Sequence, residues 1–167
     1  MHSFLLCSIH YRMELFHIGR KYPADDATSI AAREEINDEY GGLRGGWPLQ
    51  CTEYATYRLK TKRGTEIKWP ISDGRHGGEW GAIFKEYGTY PVSSEPKQDS
   101  IISFPALTCP DERITRFGHV AYVEAVYPDR SIKISEVNLA GDGIYNERVL
   151  PEHEWRDTCG ANFIIFD

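Results

Sequence analysis

The sequence predicts an α+β fold, with N-terminal helices packed on a C-terminal antiparallel β-sheet. Three observations carry this. Before Pro96, apolar residues recur at the three- and four-residue spacing of helices; beyond it they alternate or run in short blocks. Pro128-Asp129-Arg130 is a tight turn between two strand-like segments, which makes them a hairpin and not a parallel crossover. The length, 167 residues, suits one domain with a core of ordinary size.

The elements follow in order. Met1 to His17 carries a short apolar stretch and is expected to be an ordinary N-terminal segment. Asp25 to Tyr40 is rich in Ala, Glu and Arg, places Ile30 and Ile36 on one face, and stops at Gly41-Gly42, so a helix is predicted. Residues 1–42 are therefore expected to form an N-terminal extension with one helix packed on the domain. A glycine-rich turn and Trp47-Pro48 come next. Gln50 to Lys62 repeats Tyr54, Ala55, Arg58 and Leu59 at helical spacing and is predicted to be the second helix. Trp69-Pro70 and Asp73-Gly74 mark turns. Gly78 to Tyr87 predicts a short third helix ending at Gly88. Strands are predicted at 100–104, 119–127, 131–138, 145–150 and 162–166.

Composition excludes several classes of function. Seven Phe, ten Tyr and four Trp need burial, so the chain is not disordered. No apolar run approaches the roughly 20 residues of a bilayer span. The net charge is −6, and a protein holding nucleic acid by its phosphates is usually basic, so no nucleic-acid partner is expected. The N-terminus lacks a basic region, a long apolar core and a small-residue cleavage site, so no signal peptide is expected. Cys7, His10 and His17 lie near one another but lack the paired spacing of a zinc site.

Four cysteines, at 7, 51, 109 and 159, leave the question of which is chemistry. Cys51 stands at the N-terminal edge of the second helix. Unpaired N–H groups and the helix dipole ease thiolate formation there, and the thiolate is the nucleophile. A small buried thiol on a helix fits the same position. His119 opens a strand directly after Gly118, placed to take a thiol proton and protonate a leaving amine, or to serve as an ordinary hydrogen-bonded histidine. Glu136 and Asn138 lie two apart on the next strand and share a face. The hairpin brings that face within reach of the imidazole, where a third group fixes the tautomer. Cys109 and Cys159 are equally consistent with two free thiols and with a bridge, which would close about 50 residues and stabilise by about 4 kcal/mol.

Gln50-Cys51-Thr52-x-Tyr54-Ala55, then Gly118-His119-Val120-Ala121-Tyr122-Val123-Glu124, then Ile134-Ser135-Glu136-x-Asn138 resemble the motifs of the CHAP family, the cysteine- and histidine-dependent amidohydrolases and peptidases. Ser100 to Phe104 is similar to the family's Gly-x-Ile-x-Val-Phe strand, and Phe163 to Phe166 to its closing strand. The resemblance covers about residues 43–167, which makes that stretch the expected catalytic domain. It implies a papain-like fold and hydrolysis of amide bonds, most often in bacterial peptidoglycan. Carried across, Cys51 is the nucleophile, His119 the base, Glu136 the group orienting the imidazole, and Asn138 the fourth polar position. Gln50 and the Cys51 backbone N–H are expected to stabilise the oxyanion. Trp47, Tyr54 and Trp80 are expected to contact substrate. Leu49 and Glu53 replace the Gly and Trp that often flank the family's Gln-Cys-Thr. Residues 36–42 lack the Asp-x-Asp-x-Asp-Gly spacing of the calcium loop in some relatives, so no metal or other cofactor is expected.

The leading functional expectation is a peptidoglycan amidase or endopeptidase acting through a Cys51 thioester. It would work in the periplasm or cell wall after export or delivery without a signal peptide, as a lysin or as a delivered toxin. A toxin would need a cognate immunity protein in the producer. Two alternatives accompany it: a cytoplasmic amidase on a peptide–polyamine conjugate, whose cationic substrate would suit the acidic surface, and a catalytically inactive binding module.

Overall fold

The computed structural model describes residues 21–22, 49–72, 75–109, 116–141, 143 and 145–167. The expected helix over 25–40, together with Cys7 and Trp47, lies outside the described residues.

Helix α1, Cys51–Arg63, buries Tyr54, Ala55 and Leu59, three of the four residues whose spacing predicts it, and ends at Gly64. Helix α2, Trp80–Tyr87, buries Trp80, Gly81, Ile83 and Phe84, follows a 3₁₀ turn at Gly77–Glu79, and ends at Gly88. The strands are β1 (Lys21–Tyr22), β2 (Val92–Ser93), β3 (Ile101–Phe104), β4 (His119–Val126), β5 (Ile132–Val137), β6 (Tyr145–Leu150) and β7 (Asn162–Ile164). They form one sheet in the order β1-β6-β5-β4-β3-β7-β2, with every pairing antiparallel. The predicted α+β arrangement is what the structure adopts. β1 and β2, two residues each, sit at the edges and are too short to leave a periodic signal.

The central strands β3 and β4 are buried on both faces, which explains their continuous apolar runs. On one face, Ile101, Val120, Tyr122 and Ile164 pack against Ala55, Leu59, Trp80 and Phe84 of the two helices. On the other, Ile102, Ala121, Val123, Ile134 and Phe163 form a second core with Trp155. Trp155 belongs to a π-helical turn, His153–Thr158; its indole N–H donates to the Arg130 carbonyl at 3.1 Å. A side chain driven into the core and tied to the hairpin turn gives this segment an order that local propensity does not encode.

Cys109 and Cys159 are joined in a disulfide and are 8% and 5% exposed. Of the two arrangements open from the sequence, the structure has the bridge. Thr108 Oγ1 donates to the Cys159 carbonyl at 2.8 Å beside it.

Candidate active site

The start of α1 meets the start of β4, and this brings Cys51 and His119 together. Cys51 is the first residue of α1, after an N-cap at Gln50 whose backbone N–H donates to Glu53 Oε2 at 2.8 Å. The thiol is half-buried, hydrogen-bonded to the His119 ring and reached by the backbone N–H groups of Val120 and Thr52. Burial is the largest influence on it and opposes ionisation. The charge of His119 and those hydrogen bonds together outweigh burial, and the thiol pKa falls below its ordinary value.

His119 is 3% exposed, its ring stacked on Phe104 with centroids 6.2 Å apart. Its Nε2 lies 2.9 Å from Glu136 Oε2, which leaves Nδ1 to face the thiol. Burial alone would lower its pKa. Cys51 and Glu136 reverse the effect and raise it to about 9.

The approach to His119 depends on two glycines. Gly118 has φ +65°, and a Cβ there would lie 2.4 Å from both the Gly78 Cα and the Phe104 carbonyl oxygen. A Cβ on Gly78 would fall 2.8 Å from the Ala106 nitrogen. The two backbones cross with no room for a side chain, and the Gly78 N–H donates to the Phe117 carbonyl at 2.9 Å. This crossing fixes where β4 begins and therefore where the imidazole sits.

Glu136 is fully buried. Burial is again the largest influence and raises its pKa, but the charges of Arg148 and His119 and their hydrogen bonds prevail and hold it at about 2. Arg148 Nε donates to Oε1 at 2.6 Å and Nη2 to Oε2 at 3.2 Å, and Asn146 Nδ2 donates to Oε1 at 2.9 Å. Sequence reasoning missed Asn146 and Arg148. The signal was present: they lie two apart on β6, and β6 pairs with β5 so that Asn146 stands opposite Glu136 and Arg148 opposite Ile134. Asn138 does not complete a contact to the imidazole. At φ +66°, its Nδ2 donates to Gln50 Oε1 at 3.2 Å and its Oδ1 accepts the Gly143 N–H at 2.7 Å. It orients Gln50 by holding the amide oxygen.

Two of the expected substrate contacts, Tyr54 and Trp80, lie largely in the core. Tyr54 is 3% exposed and donates its hydroxyl to Ser135 Oγ at 2.9 Å, in a buried chain that continues from Ser135 to Glu124 and Arg58. Three residues along the helix from Cys51, it faces the sheet and not the cleft. Trp80 is 1% exposed and is a core residue at the base of a groove, its indole N–H donating to the Arg75 carbonyl at 3.0 Å. Among the described residues no cluster of His, Cys, Asp or Glu is arranged to hold a metal ion, and no helix is long and apolar enough to cross a membrane.

The CHAP domain model matches residues 39–138, which hold Cys51, His119 and Glu136. The chain belongs to the CHAP domain family. It is 32% identical over 148 residues, 84% of its length, to an N-acetylmuramoyl-L-alanine amidase domain-containing protein of Staphylococcus aureus, of which it spans 23%. It is 29% identical over 116 residues, 69% of its length, to the staphylococcal secretory antigen ssaA2 of the same species, spanning 36% of that protein. A crystal structure of an N-acetylmuramoyl-L-alanine amidase from Staphylococcus aureus superposes with a TM-score of 0.56 at 31% identity, covering 71% of this chain and 30% of that one. The chain thus spans about a quarter to a third of these relatives.

A pH profile follows from the paired shifts. The shifts favour a Cys51 thiolate beside protonated His119. The lowered thiol pKa lets it form below the usual thiol range, and the raised imidazole pKa keeps it until about pH 9. Iodoacetamide alkylation of Cys51, followed by mass spectrometry, is expected to be fast at neutral pH. The rate should change again only as His119 loses its proton near pH 9. A single rise centred on an ordinary thiol pKa of about 8.5 would contradict the ion pair.

Proposed function

We propose that this chain is a cysteine-dependent peptidoglycan amidase or endopeptidase that works through a thioester on Cys51. The Cys51–His119–Glu136 alignment at a helix N-terminus, within a CHAP domain, carries this reading. The Cys51 thiolate attacks the carbonyl carbon of a peptide amide. The Cys51 N–H and the Gln50 side chain, oriented by Asn138, receive the developing oxyanion. His119 passes its proton to the leaving nitrogen, and the amine departs. Neutral His119 then takes a proton from water, the resulting hydroxide attacks the thioester, and the carboxylic acid leaves as the thiolate re-forms. Glu136, ionised by Arg148, holds the imidazole in place and stabilises its charged form throughout.

The site of action is outside the cytosol. The Cys109–Cys159 bridge suits an oxidising compartment, and one relative is by name a secretory antigen. A lysin and a delivered antibacterial protein use the same chemistry; only the second requires a cognate immunity protein as partner. Mass spectrometry of muropeptides released from purified cell wall tests the reading. The wild-type chain is expected to release peptide fragments with a new amine and a new carboxylate, and Cys51→Ala to release none. Equal release by both proteins would refute it.

A further inference from the structure

Beside Cys51 a groove of about 710 Å³ runs along α1, lined by Thr52, Glu53, Lys60, Glu66, Trp69 and Arg75 among others. Its charges are mostly spoken for. Lys60 pairs with Glu66 at 3.1 Å, and Glu53 accepts the Gln50 N–H. Arg75 differs. Its guanidinium lies over the Trp69 ring, 4.8 Å from the centroid, and no carboxylate among the described residues pairs with it.

The platform beneath Arg75 is rigid. Trp69 meets Trp80 edge-on at 4.9 Å and Phe84 at 4.9 Å, and both of those rings are buried in the core. The Arg75 carbonyl is held in turn by the Trp80 indole. Arg75 is exposed, with its guanidinium seated on the Trp69 ring and its backbone carbonyl hydrogen-bonded, which reduces the entropy lost when a ligand binds its fork of N–H donors. The placement is also close to the chemistry. Gly77, two residues on, abuts the His119 backbone so tightly that a Cβ there would sit 3.0 Å from the His119 carbonyl carbon. Two residues of extended chain span about 7 Å. Thr52, which also lines the groove, directly follows Cys51 in the chain.

We propose that Arg75, stacked on Trp69, forms a carboxylate-binding subsite, so that the preferred substrates are peptide amides carrying a free carboxylate on a residue adjoining the scissile bond. This rests on the amidase reading above. A planar guanidinium with its face on an indole presents its edge to a ligand, and a carboxylate matches that edge with two parallel hydrogen bonds. Converting the carboxylate to a primary amide removes the charge and one acceptor while keeping the shape.

The test uses two synthetic peptidoglycan-stem peptides that differ only in whether the carboxylate next to the scissile amide is free or amidated. The wild-type chain is expected to favour the free carboxylate about tenfold, mainly through KM. In Arg75→Gln the preference should vanish through loss on the free-carboxylate peptide, while Cys51 is alkylated at the wild-type rate, which shows the catalytic pair intact. Wild-type protein that cleaves both peptides equally, or Arg75→Gln protein that keeps the preference, overturns the subsite while leaving the amidase reading standing. Calorimetric titration of the same peptides into Cys51→Ala protein, with and without Arg75→Gln, reads the subsite independently of turnover. There a carboxylate preference that depends on Arg75 supports it and equal binding overturns it. Absence of cleavage by the wild-type chain counts against the amidase reading alone.

Discussion

His119→Ala protein is expected to lose about 10⁴-fold in kcat, because nucleophile activation and leaving-group protonation depend on one ring. The same change should return Cys51 to poor reactivity at neutral pH. Without His119, burial of the thiol is opposed only by the N–H groups of Val120 and Thr52 and the end of α1. Alkylation by iodoacetamide at pH 7 separates this from unfolding: the variant should keep its circular dichroism while its thiol reacts far more slowly. Unchanged alkylation with unchanged turnover would show that His119 is a core histidine. Glu136 acts one step further back. Its carboxylate is buried, ionised by Arg148, and its hydrogen bond and charge are among the causes that raise the His119 pKa.

Cys109→Ser/Cys159→Ser protein is expected to be less stable by about 4 kcal/mol, since the bridge closes a loop of 50 residues in the unfolded chain. A loss of that size is a large fraction of a domain's total stability. Both cysteines are buried, so two hydroxyls would add a desolvation cost. Urea unfolding of oxidised wild-type protein, reduced wild-type protein and the double variant measures it. A midpoint unmoved by reduction would show that the bridge contributes nothing. The bridge ties the segment after β3 to the π-helical turn before β7, so the loss should spread to the neighbours of β3 and not stay local.

Much of the site was legible in the chain. Cys51 was visible because a cysteine opening a helical repeat is a local feature, and His119 because Gly-His opens a continuous apolar strand. Glu136 was visible because the hairpin turn sets strand pairing, and pairing sets which alternate residues face the imidazole. The placement of Tyr54 and Trp80 was not legible, for one reason. Whether a side chain on α1 or α2 faces the cleft or the sheet depends on how the helix is rotated on the sheet. Tyr54 and Trp80 carry polar atoms suited to either position, and the structure gives both to the core.

The sequence by itself determined the two described helices, the five longer strands, the hairpin and the Cys51–His119 pair, because each follows from spacing within a few residues or from a motif. Only the tertiary structure decided what surrounds that pair. Arg148 and Asn146 reach Glu136 through strand register, Asn138 turns from the imidazole to Gln50, and the two glycine backbones cross to seat His119. These are contacts between segments far apart in the chain. Their partners are chosen by packing and by the need to satisfy buried charge, and neither quantity exists until the sheet and helices have met.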